Sequence, residues 1–247
     1  MLLHLQTWPD VERYLARSRS IIIPIGSTEQ HGPNGLIGTD ALCAEAVAKG
    51  VGEACDALVA PGIPVGMAQH HLAFPGTMTL LPSTLIAVIK DGVFSLARHG
   101  FRRFYFINGH GGNIATVQAA FSEIHAAASL DAGGNQAPVQ CRLRNWWQAD
   151  GISALSRELY GAAEGSHATP SEVSLTWHLH PEAARPMRLE PEIAPTGDFG
   201  DAADYRRRFP DGRIGSNPGL ASVEAGRRLL ETAVAGLAQD YRRWTAA

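Results

Sequence analysis

The feature that most constrains the fold is a run of isoleucines near the start of the chain, at residues 21–25, interrupted only by Pro24. So many β-branched residues in succession predict a strand that is buried on both faces, as the strands of a parallel sheet are. Further apolar runs that we read as strands lie at residues 57–60, 104–107 and 139–143. We predict that these four segments form one mostly parallel sheet.

Stretches with helical periodicity alternate with the apolar runs. They lie at residues 39–53, 82–99, from 114 onward, 171–180 and 221–244. This alternation predicts an α/β fold in which helices flank the sheet. Residues 191–218 are rich in Gly, Pro, Asp and Arg, and this composition predicts a long excursion over the surface.

The size and charge of the chain limit the classes of protein to which it can belong. Its 247 residues suffice for one large domain, which we expect to span residues 1–247. The formal net charge of −3 provides no attraction for nucleic acid or an anionic membrane surface. No apolar run approaches the roughly 18 residues that span a bilayer, and residues 1–15 do not resemble a signal peptide. Three cysteines without C-x-x-C spacing are typical of a reducing compartment, so we expect a cytoplasmic protein.

The first candidate site directly follows the first predicted strand. Residues 26–32 read GSTEQHG, and Asp40 follows at the start of a predicted helix. Glu29 and His31 are two residues apart, so in an extended segment both side chains leave the same face. Carboxylates and imidazoles suit Zn, Mn or Fe ions. A polar loop in which Asp40 only caps the helix is the alternative, and the motif alone leaves both interpretations open.

A histidine flanked by glycines follows the strand predicted at residues 104–107. Residues 108–113 read NGHGGN, and the glycines beside His110 permit close approach of the backbone and left-handed turns. A dinucleotide-binding motif would require Gly or Ala at position 114, where this chain has Ile114. A turn with a solvated histidine is the other alternative. In an open α/β sheet, ligands bind at the carboxyl ends of strands, so this loop and the preceding candidate can meet.

The third candidate segment runs into a predicted helix. Residues 164–174 read EGSHATPSEVS, in which His167 is a candidate base and Glu172 a candidate metal ligand. The alternative is that Glu172 is only a favourable acid in the first turn of the helix. The sequence contains neither a G-x-S-x-G motif nor a P-loop, which removes the main support for a serine hydrolase or a nucleotidase.

Trp147 and His70 are the candidates for contact with a substrate. Tryptophans are more often in the core than in a site, so this assignment of Trp147 competes with a packing role. Adjacent histidines in a strand point to opposite faces, so at most one of His70 and His71 would face a site in that conformation.

Taken together, these segments resemble the creatininase family in their order and spacing. The matching pieces are residues 26–33, 38–40, 74–77 (FPGT), 108–113, 167–174 and 219–222. The resemblance therefore spans nearly the whole chain. It implies a three-layer α/β/α domain with a mostly parallel central sheet, often assembled into hexamers, and a binuclear Zn, Mn or Fe site.

The resemblance also implies roles for the candidate residues. By matching positions, Glu29 and His110 would bind one metal ion, His31 the other, and Asp40 would bridge the two. His167 matches a histidine thought to shuttle protons.

Three departures from the family pattern affect the site. Creatininase has a glutamate where this chain has Gly112, and we expect Glu172 to complete the ligands of the second ion. Family members usually carry a histidine where this chain has Asn34, and a Gly-rich run at the position of residues 168–170. We expect Asn34 and residues 168–170 to lie near the pocket.

The activity implied by the resemblance is hydrolysis of a C–N amide bond in a small molecule by a metal-activated water. A cyclic amide is the first expectation for the substrate. A formamide hydrolase or a peptide-trimming hydrolase of the same family is the alternative within the enzyme class. A catalytically inactive ligand-binding relative and a dinucleotide-binding oxidoreductase are the alternatives outside it.

Overall fold

The isoleucine run lies in strand β1 (Ser20–Ile25), and all six residues of this strand are buried. In the computed structural model, which describes residues 1–131 and 138–246, β1 pairs with β2 (Leu58–Val59) on one side and with β3 (Arg103–Asn108) on the other. β3 pairs in turn with β4 (Gln140–Asn145). All three pairings are parallel and the strand order is β2-β1-β3-β4, so the predicted parallel sheet is confirmed.

Eight α-helices accompany the sheet within the described residues. They are α1 (Trp8–Leu15), α2 (Thr39–Ala54), α3 (Pro82–Arg98), α4 (Ile114–Leu130), α5 (Ile152–Tyr160), α6 (Pro170–Leu179), α7 (Ala202–Arg208) and α8 (Val223–Ala246). The helices predicted from periodicity are confirmed as α2, α3, α4, α6 and α8. The sequence does not predict α1, α5 and α7, which have only 7 to 9 residues and depend on packing for stability. None of the described helices is long and apolar enough to cross a membrane.

Side chains of the central strands alternate between the two faces of the sheet. On one face, Ile21 and Phe104 pack with buried residues of α1, α3 and α4. On the other face, Ile22 and Tyr105 pack with buried residues of α2, α5, α6 and α8. Helices thus form a layer on each side of the sheet, which confirms the three-layer α/β/α arrangement.

The last seven residues of the segment 191–218 are buried, whereas residues 191–211 lie mostly at the surface, as predicted. Helix α7 lies within them, and its Tyr205 packs against Phe74 in a small buried cluster. The Arg213 side chain is fully buried, because backbone carbonyl oxygens of the same segment accept hydrogen bonds from its guanidinium. Composition alone predicts exposure of Arg213, whereas here the polar groups around its guanidinium allow it to be buried.

Candidate metal centre

Three parallel strands end side by side at the edge of the sheet where the candidate site lies. Ile25 of β1 pairs with Asn108 of β3, which pairs with Asn145 of β4. The loop after β3 passes so close to α2 that a Cβ atom on Gly109 would lie 2.0 Å from the carbonyl oxygen of Asp40. Glycine permits this approach, which brings the loop after β3 against the first turn of α2.

Five side chains from the loops and helix starts at this edge converge. They are Glu29, His31, Asp40, His110 and Glu172. Asp40 is central, because its Oδ1 lies 3.0 Å from Nε2 of His31 and its Oδ2 lies 3.0 Å from Nδ1 of His110. Nε2 of His110 lies 3.2 Å from Oε2 of Glu29. Nε2 of His31 lies 3.9 Å from Oε1 of Glu172. The structure therefore brings together all five residues that the sequence identifies as candidate ligands.

The ligand atoms form two groups with spacing suited to metal ions. One group consists of Glu29, Asp40 and His110, and the other of His31, Asp40 and Glu172. Within each group the ligand atoms lie within 4.8 Å of one another. Two ligands at about 2.0–2.1 Å from a tetrahedral zinc ion are about 3.3 Å apart, which is close to the separations seen here. Asp40 belongs to both groups, so its two carboxylate oxygens can serve two ions.

Buried carboxylate oxygens in this cluster lack hydrogen-bond donors. Ring nitrogens lie 3.0–3.2 Å from both oxygens of Glu29 and from Oδ2 of Asp40, yet none of these three oxygens accepts a hydrogen bond within the described part of the chain. Leaving a buried polar atom unpaired costs about 1–3 kcal/mol, and more when the group is charged. The orphaned oxygens therefore fit a site in which a cation is the partner.

The pKa values of the imidazoles also indicate that the cluster requires positive charge. Burial lowers the pKa of His31, but the carboxylates of Asp40, Glu172 and Glu29 together outweigh burial and raise that pKa to about 10. Burial likewise lowers the pKa of His110, but Glu29 and Asp40 raise it to about 9. Protons on the two rings thus supply positive charge that the carboxylates require. Metal ions that bind these rings would replace those protons.

Glu172, like Glu29, has a carboxyl group whose pKa is raised by burial. Burial raises its pKa to about 7, because the positive charge of His31 only partly offsets the loss of hydration. It lies in the first turn of α6, where its carboxylate also accepts a hydrogen bond from the backbone N–H of Thr169. Glu172 therefore has both the helix-entry role considered from the sequence and a position in a ligand group.

His167 lies beside the cluster with one ring nitrogen turned toward it. Its Nε2 lies 2.9 Å from the carbonyl oxygen of Gln30, and its Nδ1 lies 3.8 Å from Oε1 of Glu29. Burial lowers the pKa of His167 well below its ordinary value, and the nearby His71 and His31 lower it further. The ring is therefore neutral near pH 7. When Nε2 donates to Gln30, Nδ1 offers a lone pair to the site and can accept a proton.

A second role for His167 is also open on geometric grounds. Its ring nitrogen, a carboxylate oxygen of Glu29 and a ring nitrogen of His31 lie within 4.8 Å of one another. This spacing would allow His167 to bind a metal ion instead of moving a proton.

Two residues of the site were missed in the sequence. His71 is buried with its Nε2 3.2 Å from Oε1 of Glu29. The side-chain amide of Gln30 lies between the two histidines: its Nε2 lies 2.9 Å from Nδ1 of His71, to which it can donate, and 2.8 Å from Nε2 of His167. The sequence feature that could have identified His71 is its position, three residues before the FPGT motif at 74–77.

His70 and His71 do not lie in a strand. Gln69–His71 forms a short 3₁₀ helix, in which the two imidazole rings lie 4.1 Å apart rather than on opposite faces. His71 faces the cluster, whereas the ring of His70 stacks on that of Phe199 with 4.9 Å between centroids.

A cavity of about 610 Å³ opens beside the cluster. Asp40, His110 and Glu172 form part of its wall, so a ligand in the cavity can reach the candidate metal ligands. Trp147, considered from the sequence as a substrate contact, also lines the cavity. His70 is not among the described residues that line it.

The positions that depart from the family pattern are only partly near this cavity. Of residues 168–170, Thr169 lines it. Contrary to expectation, Asn34 lies outside the described lining. It is buried, and its Nδ2 donates to the carbonyl oxygen of Pro218 at 3.0 Å. Asn34 is only three residues from His31 in the sequence, but the turn after His31 directs the Asn34 side chain to the segment before α8.

Gly112 has no room for a side chain. A Cβ atom there would lie 2.4 Å from Nε2 of His110 and 2.6 Å from the carbonyl oxygen of Met67. We therefore expect Gly112→Ala to displace the His110 ring and weaken metal binding by about 10- to 100-fold, as loss of a supporting contact does. The measurement is metal affinity by competition with a chromophoric chelator. Gly111→Ala is the matched control, because a Cβ atom at Gly111 meets nothing within 4 Å. Equal affinities in the two variants would contradict this account.

Comparisons with known proteins agree with this geometry. The sequence model of one family, described as creatininase (creatinine amidohydrolase), matches residues 4–241. The chain is 30% identical to creatinine amidohydrolase of Pseudomonas putida over 255 residues, covering 96% of this chain and 94% of that protein. It is 29% identical to the mycofactocin precursor peptide peptidase of Mycobacterium ulcerans, covering 97% of this chain and 87% of that protein.

The fold is also similar to solved structures. A creatininase structure designated Mn superposes with a TM-score of 0.85 at 28% identity and covers 100% of this chain and 99% of that chain. Because the family match extends over nearly the whole sequence and the relatives align almost end to end, the chain belongs to the creatininase family.

Proposed function

We propose that the protein is a metal-dependent hydrolase that cleaves a C–N amide bond in a small molecule. The observation that carries this proposal is the pair of ligand groups that share Asp40 beside an open cavity. The names of the two relatives, an amidohydrolase and a peptide peptidase, both describe hydrolysis of C–N bonds. The volume of the cavity, about 610 Å³, is within the range of small-molecule sites.

The donor set supports two divalent ions of Zn, Mn or Fe. Glu29 and His110 would hold one ion, His31 and Glu172 the other, and Asp40 would contact both. These ligands are nitrogen and oxygen atoms without sulfur, a set that suits these metals. When bound, such an ion polarises a carbonyl oxygen and lowers the pKa of water from about 16 toward 7.

The remaining steps belong to side chains of the protein. The neutral His167 ring accepts a proton from the attacking water and donates it to the departing amide nitrogen, which leaves as a neutral amine. Gln30 holds the ring through its carbonyl oxygen and thereby keeps Nδ1 directed toward the cluster. Trp147 provides an apolar surface of the cavity against which the substrate packs.

Metal analysis tests this function most directly. Protein purified without chelators is expected to contain about two equivalents of Zn, Mn or Fe per chain. It should hydrolyse a member of a panel of cyclic amides, formamides and short peptides. Chelation should abolish this turnover, and restoring the metal should recover it. A chain that binds no metal after incubation with Mn or Zn would overturn the proposal. Two bound ions without turnover of any member would favour the inactive ligand-binding alternative.

The setting in which the protein acts is part of the same proposal. We expect one catalytic domain over residues 1–247 that works as a homo-oligomer in the cytoplasm. The three cysteines, Cys43, Cys55 and Cys141, are free thiols, which supports a reducing compartment. Light scattering of the metal-loaded protein measures the assembly, for which the family resemblance implies a hexamer.

A further inference from the structure

One charged side chain of the cavity wall has no part in the proposed hydrolysis. Arg157 lies in the last turn of α5 and is the only arginine or lysine among the described residues that line the cavity. Its guanidinium has no hydrogen bond or ion pair within the described part of the chain. Glu158, the next residue, pairs instead with Arg228 at 2.8 Å. The positive charge of Arg157 is therefore available to a ligand.

The helix dipole favours a cation at the end of α5 but does not explain why the guanidinium of Arg157 borders the cavity. A cation in the last turn of any helix interacts favourably with the dipole. Arg98, in the last turn of α3, has that role without lining the cavity. Arg157 differs because its guanidinium borders a small-molecule cavity. In that position a guanidinium can bind a carboxylate through two parallel hydrogen bonds, which fixes the orientation of the bound molecule.

We infer that the substrate of this hydrolase is an amide that carries a carboxylate, which Arg157 holds. The inference rests on the proposed function, since the scissile amide must reach the ligands that line the same cavity. Creatinine carries no carboxylate, so this class differs from the simple cyclic amide that the family resemblance first implies.

Matched pairs of ligands test the inference in the zinc-loaded protein. The probes are N-acetylphenylalanine, N-formylglycine and 5-oxoproline, each compared with its neutral primary carboxamide. Affinities are measured by calorimetric titration for the wild type, Arg157→Gln, Arg157→Lys and the control Arg98→Gln. At least one acid is expected to bind the wild type about tenfold more tightly than its carboxamide, the gain of a charge-assisted contact. Arg157→Gln should abolish the preference, Arg157→Lys should retain part of it, and Arg98→Gln should retain all of it.

Three results would overturn the inference. One is a preference for the acid that survives in Arg157→Gln, which would place the carboxylate on the metal ions or elsewhere. Another is equal binding of acid and carboxamide in every pair. The third is the absence of binding by all three acids.

Failure of the inference is distinguishable from failure of the proposed function. Metal content and release of amine are measured on the same preparations. Bound metal with equal turnover of acids and carboxamides would leave the hydrolase intact and refute the role of Arg157. A preparation that binds no metal would refute the hydrolase itself.

Discussion

Asp40→Asn is expected to remove both metal ions and the turnover that depends on them. The two oxygens of Asp40 lie 3.0 Å from ring nitrogens of His31 and His110, which belong to different ligand groups. Asparagine keeps the shape of the side chain but supplies one neutral oxygen in place of a shared negative charge. Metal catalysis is worth several kcal/mol, so turnover should fall by more than about 10³-fold. Elemental analysis and the rate of amine release are the two measurements.

The control for Asp40→Asn lies on the same helix. Glu45 is a half-buried residue of α2 that pairs with Lys49, outside the ligand groups. Glu45→Gln removes one negative charge from α2, as Asp40→Asn does, and should keep full metal content and activity. Circular dichroism of both metal-free variants establishes that the fold is retained. If Asp40→Asn kept two ions and wild-type turnover, the central position of Asp40 in the site would have no functional meaning.

His167→Ala is expected to separate metal binding from proton transfer. The variant should keep both ions and lose about 10²–10⁴ in kcat, the usual contribution of a general acid–base group. Part of the loss should be restored by free imidazole, which fits the space that the side chain vacates. His125→Ala, at an exposed position on α4, is the control and should leave kcat and metal content unchanged.

Metal content decides between the two roles that the geometry allows for His167. The ring lies near Glu29 and His31 in a third group of possible ligand atoms. If His167→Ala lost one ion, the residue would be a ligand, and its assignment as the proton-transfer group would be wrong. Retention of both ions with an unchanged kcat would exclude both roles.

Much of the fold could be predicted because it depends on local patterns. A strand buried on both faces requires a continuous apolar run, and residues 21–25 form one that lies in β1. Helix α3 carries an apolar stripe between Pro82 and Arg98, near the ends expected from the sequence. Polar residues placed directly after such strands must lie at their carboxyl ends, so Glu29 and His110 could be assigned to one edge of the sheet.

Other features depend on residues that are distant in the sequence, and only the tertiary structure decided them. The contact between His71 and Glu29 joins positions more than forty residues apart, and no periodicity predicts it. Arg213 is buried because carbonyl groups of its own segment fold around the guanidinium, although the polar composition of that segment predicts exposure.

The sequence and the tertiary structure determine different features of this protein, and the difference has one physical cause. Local patterns determine which segments form strands and helices, since backbone hydrogen bonding and one-sided burial repeat at a fixed period. They place Asp40 at the start of a helix but do not specify which side chains share its two oxygens. That sharing, and the position of Arg157 on the cavity wall, follow from how the helices pack on the sheet. The sequence thus determined the candidate ligands, and the packing determined their arrangement.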